Sequence, residues 1–161
     1  LGDNIAYDDP ERHENEILES ADAAALTQTI AEFPTGLGTI LGERGVTLSG
    51  GQKQRATLAR GLIRKTPLLI LDDCFSAVDT ETEEHILSGL KRLRSDRTTM
   101  LVSHRVSTAR HADRIIVLDE GRIAEMGSHA ELLRSGGFYA ELEAAQKRGG
   151  QAAQTDEVEA S

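Results

Sequence analysis

Residues 67–73 read PLLILDD, and no other stretch constrains the fold as much. Pro67 closes off what precedes it, residues 68–71 are apolar at every position, and Asp72 and Asp73 end the run on two carboxylates. A strand with one wet face would alternate, so an uninterrupted apolar run predicts a strand covered on both faces in a parallel sheet. Helical patterns lie on either side of it. Residues 49–65 place Leu58, Ala59 and Leu62 on one face, and Thr80-x-x-Glu83 reads as a capping box before Ile86, Leu90 and Leu93. Thr98–Val102 is a second β-rich run, and residues 114–126 read as two strands across Asp119-Glu120-Gly121. Upstream, residues 11–32 carry apolar positions at helical spacing up to the break at Phe33-Pro34-Thr35-Gly36. Ser128-x-x-Glu131 predicts a short helix, and residues 138–145 a last one. Helices alternating with buried strands make the chain α/β with a mostly parallel sheet.

Composition narrows the function classes. The 161 residues are 39% hydrophobic and 28% charged, which fits a globular chain. Aromatics are 3% with no Trp, so the core is built from aliphatic side chains and Ala. A net charge of -9 argues against a broad nucleic-acid surface. No apolar run approaches the roughly 20 residues of a membrane span, so a membrane role is expected to be peripheral or to lie in sequence not included here. Cys74 is the single cysteine and reads as a small buried hydrophobe. His13, His85, His111 and His129 read as surface residues. The chain opens at Leu1, without Met, inside what looks like an ordered element, and is expected to be a fragment.

Adjacent acids at a strand end commonly manage a nucleotide's metal and water, yet no G-x-x-x-x-G-K-[ST] loop is present, and residues 1–47 contain no Lys to stand in for it. The strongest phosphate-directed feature is instead LSGGQKQR at residues 48–55. Ser49 can cap a helix there, while Gly50 and Gly51 let backbone N–H groups approach an anion at the positive end of the helix dipole. A plain glycine turn would explain the two glycines, but a chance L-S-G-G-Q in a chain of this length is on the order of a few in ten thousand.

LSGGQ, about twelve helical residues and then LLILDD together resemble the ATP-binding-cassette (ABC) superfamily of ATPases, and the similarity runs through most of the chain. The resemblance implies a P-loop NTPase-like ABC ATPase domain without its N-terminal phosphate-loop part. Residues 1–66 would form the helical signature subdomain and 67–148 the C-terminal half of the ATPase core, while 149–161, with Gln, Ala, Thr and acids and no periodicity, is expected from its composition to be a disordered tail. It implies ATP and Mg²⁺ as ligands. Asp72 would hold Mg²⁺, commonly through water, and Asp73 stands where the family has a Glu that polarises the attacking water. His104 matches the switch histidine. Leu48, Ser49, Gly50, Gly51 and Gln52 would contact the ATP of a second nucleotide-binding domain. Ser76, Ala77 and Asp79 match the loop that crosses the interface between the two domains.

Exporter likeness is carried by Asp3-Asn4-Ile5-Ala6-Tyr7 and by Gly42-Glu43-Arg44-Gly45, whose Glu43 would couple to transmembrane domains expected in the same full-length chain. This implies multidrug-type transport at the cytoplasmic face of the cell (inner) membrane. An Asp carboxylate sits one C–C bond, about 1.5 Å, nearer the backbone than a Glu carboxylate. Asp73 is therefore expected to turn ATP over slowly, and an impaired acid beside an intact signature resembles one half of a heterodimeric exporter, with an active homodimer as the alternative if the loop holding Asp73 leans inward. The alternatives are a soluble ABC ATPase of the DNA-repair, chromosome-organising or ribosome-associated kind, and a non-catalytic fragment. No nucleic-acid partner is expected.

Overall fold

Ser49 and Ser128 each cap the start of a helix. A computed structural model of the protein describes residues 1–42, 46–93 and 97–159, the last ten by backbone alone. The elements are α1 (Gly2–Ile5), α2 (Glu14–Ala23), α3 (Thr27–Glu32), a 3-10 turn at Gly36–Gly38, α4 (Gly50–Leu62), β1 (Leu68–Asp72), α5 (Thr80–Leu93), β2 (Thr98–Val102), α6 (Val106–Ala109), β3 (Ile115–Asp119), β4 (Arg122–Gly127), α7 (His129–Ser135) and α8 (Phe138–Glu159). They fall into two compact units, Leu1–Val102 and the chain from Ser103 onward.

In the first unit α2 packs against both α4 and α5, and α1 lies on α4. Ile5, Ala21, Leu26, Ala59 and Ile86 are buried at its centre. β1 and β2 pair in parallel, in register from Leu68 opposite Thr98 to Asp72 opposite Val102. The strand prediction is corrected in one respect. Leu69 and Leu71 are 7% and 6% exposed and join the helical core, whereas Leu68 and Ile70 are 48% and 58% exposed. Among the described residues, apolar partners cover one face of this sheet only, so residues 68–71 alternate in burial although not in sequence. The helix predicted over 49–65 ends at Leu62, and the predicted capping box at Thr80 is also corrected. Asp79 caps α5 instead, with Oδ1 accepting from Thr82 N–H at 2.9 Å and Oδ2 from the Thr82 hydroxyl at 2.7 Å. Glu83, one turn into α5, is 2% exposed.

α2 ends by a tight reversal with an unusual residue in the pivotal place. Leu26 N–H donates to Ala21 O at 2.8 Å and Ala25 N–H to Asp22 O at 2.9 Å, with Ala25 at φ +53°. This is the double hydrogen bond that commonly terminates helices on glycine.

In the second unit β3 and β4 pair antiparallel, with a register shift between Val117 and Leu118. Glu120 and Gly121 both take positive φ, +45° and +75°, as a two-residue hairpin turn requires. Ser128 and Glu131 form the predicted capping box of α7. Backbone helix in α8 continues through Glu159, where a tail without structure was expected from residue 149. The division into compact units falls after Val102, where β1 and β2 share the core of the preceding helices. Three of the four histidines read as surface residues make side-chain hydrogen bonds. His85 Nε2 lies 3.0 Å from Asp22 O, His129 Nδ1 lies 2.9 Å from the Tyr139 hydroxyl, and His111 Nε2 accepts from Arg110 Nε at 3.4 Å. The partners of His85 and His129 lie 63 and 10 positions away, beyond helical spacing.

Candidate functional site

Leu48 is buried in the core of the first unit and anchors the residues that follow it. Ser49 then takes an extended backbone and caps α4 reciprocally with Gln52. The Gln52 N–H donates to Ser49 Oγ at 3.2 Å, and the Ser49 N–H donates to Gln52 Oε1 at 2.9 Å. Gly50 and Gly51 open the helix, so its positive end is presented beside them. The two glycines differ in their surroundings. A Cβ on Gly50 would meet nothing within 4 Å, leaving room for a ligand, whereas one on Gly51 would come within 3.1 Å of Ala77 O. Gly51 thus lies in tight packing against the chain's own loop, where a side chain would crowd Ala77 O.

That packing brings the residues after β1 onto α4. Asp72 ends β1 with its side chain exposed, and Asp73, also exposed, turns the chain at φ +45°. Gln54, on the first turns of α4, reaches this turn. Its Nε2 donates to Asp73 O at 3.2 Å and to Ser76 Oγ at 3.3 Å, and its Oε1 accepts from Ala77 N–H at 3.3 Å. Asp79 closes the same loop as the cap of α5, and the bonds from Thr82 N–H and Oγ hold its carboxyl below the usual aspartate range. Burial pushes the Cys74 thiol up to about 12, so it stays protonated at neutral pH.

Leu48, Ser49, Gly50, Gly51, Gln52, Asp72, Asp73, Ser76, Ala77 and Asp79 therefore lie in one unit. His104 is exposed in the second unit, where its carbonyl accepts from Gln146 Nε2 at 2.8 Å. The same amide's Oε1 accepts from Val106 N–H at 2.9 Å, so Gln146 grips the backbone on both sides of Arg105. Glu43 lies outside the described residues. Upstream, Arg60 stacks over the Tyr7 ring at 5.1 Å and donates through Nε to Asn4 O at 2.6 Å, which ties residues 3–7 to α4. Sequence reasoning passed over Gln54 and Gln146. Gln54 stands inside LSGGQKQR and was open to notice there, whereas no local pattern marks Gln146.

No group of three His, Cys, Asp or Glu side chains among the described residues could enclose a metal. Asp72 and Asp73 are nevertheless hard oxygen donors at a strand end. They suit Mg²⁺, which takes one or two carboxylates and completes its shell with water and phosphate oxygens.

The capped, glycine-opened helix packed against an acid-ended parallel strand defines part of an ABC-type ATP-binding domain. The chain belongs to the ABC transporter family, whose model matches residues 5–76. It is 49% identical over 149 residues to an ATP-dependent lipid A-core flippase of Aromatoleum aromaticum, covering 92% of this chain and 25% of that protein. A mitochondrial potassium channel ATP-binding subunit of Xenopus tropicalis is 47% identical over 152 residues, covering 94% and 22%. Among solved structures, a bacterial Atm1-family ABC exporter with ATP bound superposes with a TM-score of 0.80 at 47% identity, covering 90% of this chain and 25% of the other. The chain spans about a quarter of the length of these relatives. No described helix is long and apolar enough to cross a membrane.

Proposed function

We propose that this chain forms the signature- and acid-bearing part of an ATP-binding domain that powers an ABC exporter, coupling ATP binding and hydrolysis to transport across a membrane. The observation that carries the proposal is the joining of the signature helix α4 to the loop bearing Asp72 and Asp73. The relatives named as a flippase and an exporter support the transport reading. Residues 48–52 face the nucleotide of a second nucleotide-binding domain, with Gly50 leaving space for its phosphates. Ser76, Ala77 and Asp79 lie along the contact between the two domains. His104 reaches the γ-phosphate of the chain's own nucleotide, and Glu43 contacts the membrane domains.

Asp72 would hold Mg²⁺ through water, and the ion would supply positive charge against the phosphates. Asp73 occupies the position of the group that orients the attacking water. Its carboxylate falls about 1.5 Å short of a Glu, and misplacement of about 1 Å can cost a hundredfold in rate. The chain's own site therefore binds ATP and turns it over slowly, and its partner is a different subunit bearing a longer acid. The assembly sits at the cytoplasmic face of the inner membrane.

The test is ATP turnover by the assembled transporter with Asp73 and with Asp73→Glu. Turnover rises in the variant if length limits the reaction. Equal rates remove the slow-site proposal, and no Mg²⁺-dependent hydrolysis by either removes the ATPase proposal.

A further inference from the structure

Asp73 is held at both of its peptide groups. Its N–H donates to Val102 O at 3.2 Å, extending the β1–β2 pairing by one residue. Its carbonyl accepts from Gln54 Nε2 and from Ser76 Oγ, each at 3.2 Å. Between these anchors the backbone takes φ +45°, a conformation that persists only where the surroundings hold it. Gln54 does more than add one bond. Its oxygen faces the Ala77 N–H while its nitrogen faces the Asp73 carbonyl, so a single orientation of the amide satisfies both. Gly51, on the same helix, lies near Ala77 O, close enough that a Cβ would come within 3.1 Å of it. The first turns of α4 and the turn at Asp73 are therefore fastened together by side chain and by backbone contact.

We propose that Gln54 is a positioning residue for Asp73. It sets the direction of the Asp73 carboxylate and ties that direction to the signature helix, so that nucleotide seated at residues 48–52 is sensed at the chain's other nucleotide site. This rests on the reading above, in which those two features serve different ATP molecules. Both ends of the Gln54 amide are engaged by protein groups of the turn. Without it the turn at Asp73 loses the side-chain bonds that join it to α4, and the placement of the acid is no longer tied to the signature helix.

The experiment uses the assembled transporter in four forms: unaltered, Asp73→Glu, Asp73→Glu with Gln54→Leu, and Gln54→Leu alone. Asp73→Glu raises turnover. Adding Gln54→Leu removes that gain, by about tenfold or more, while KM for ATP stays within about twofold. Hydrogen exchange of the peptide spanning residues 73–78 accelerates in Gln54→Leu. Thr57→Ala, one turn along α4, changes neither readout. A gain that survives Gln54→Leu, or a loss confined to KM, overturns the proposal. If Asp73→Glu gives no gain, the slow-site reading falls, and exchange alone judges Gln54: acceleration supports the tie and an unchanged rate overturns it. Where Gln54→Leu fails to assemble, Gln54→Glu keeps the size and the acceptor for Ala77 but has no N–H to give. The same loss is then expected, and its absence overturns the proposal.

Discussion

Gly89 of α5 lies so close to Ala23 at the end of α2 that a Cβ on Gly89 would stand 2.8 Å from Ala23 Cα and 2.9 Å from Ala23 O. The atoms it would strike are backbone, which cannot swing aside. Gly89→Ala gains helix propensity but forces α2 and α5 apart, and overpacking of this kind costs about 1–3 kcal/mol. Thermal unfolding should show a midpoint several degrees lower. An unchanged midpoint would mean that the two helices do not meet at this distance.

Ala25→Gly is expected to act in the opposite direction. Ala25 ends α2 at φ +53°, where an L side chain crowds its own backbone. The left-handed conformation costs most residues about 1–2 kcal/mol, part of which is offset by the greater freedom of glycine in the unfolded chain. A net gain of roughly 0.5–1 kcal/mol follows, readable as a higher denaturant midpoint at constant m-value.

Asp73→Glu places two effects in opposition. The longer side chain raises turnover on the reading above, but Glu tolerates positive φ less well than Asp, and residue 73 sits at φ +45°. Stability should fall by up to about 1 kcal/mol as activity rises. A variant that gains both would show that the turn relaxes away from this backbone conformation.

Asp79 links stability to acid. Hydrogen bonds from Thr82 lower its folded-state pKa beneath the ordinary 3.8. A depressed carboxyl pKa contributes stability that is present above the unfolded-state value and is lost as pH falls through the folded-state value. Denaturant midpoints measured from pH 5 downward should therefore decline below about pH 4, and more shallowly in Asp79→Asn, which still caps α5 but does not titrate. Glu131, lowered by its bonds from Ser128, adds to the decline with the same sign.

Cys74 should resist alkylation. Its thiol is raised from 9.0 to about 12 by burial, so little thiolate exists near pH 8. Labelling by iodoacetamide is expected to be slow in the folded protein and fast in denaturant. Equal rates in the two states would place the sulfur at the surface.

What could be read along the chain was short in range. The Ser49 and Ser128 caps, the hairpin turn at Glu120 and Gly121, and the parallel strands each depend on residues within a few positions or on one apolar run. The family likeness was legible for the same reason, since LSGGQ and LLILDD are contiguous words. The misreadings share the opposite cause. Thr80 was named as the cap of α5 because Thr-x-x-Glu fits the pattern, yet Asp79 has the carboxylate that reaches the Thr82 N–H. Residues 68–71 read as covered on both faces because hydrophobicity states what a residue can bury, not what lies above it.

Sequence alone therefore determined the class of fold, the Ser49 and Ser128 helix caps, and the residue types offered to a nucleotide. Only the tertiary structure decided which of these are tied together. Gln54 with Asp73, Gln146 with His104 and Gly89 with Ala23 are separated by 19, 42 and 66 positions. Contacts at such separations arise when packing of the core brings backbones to within a hydrogen bond or a missing methyl of each other. Local periodicity carries no record of that approach.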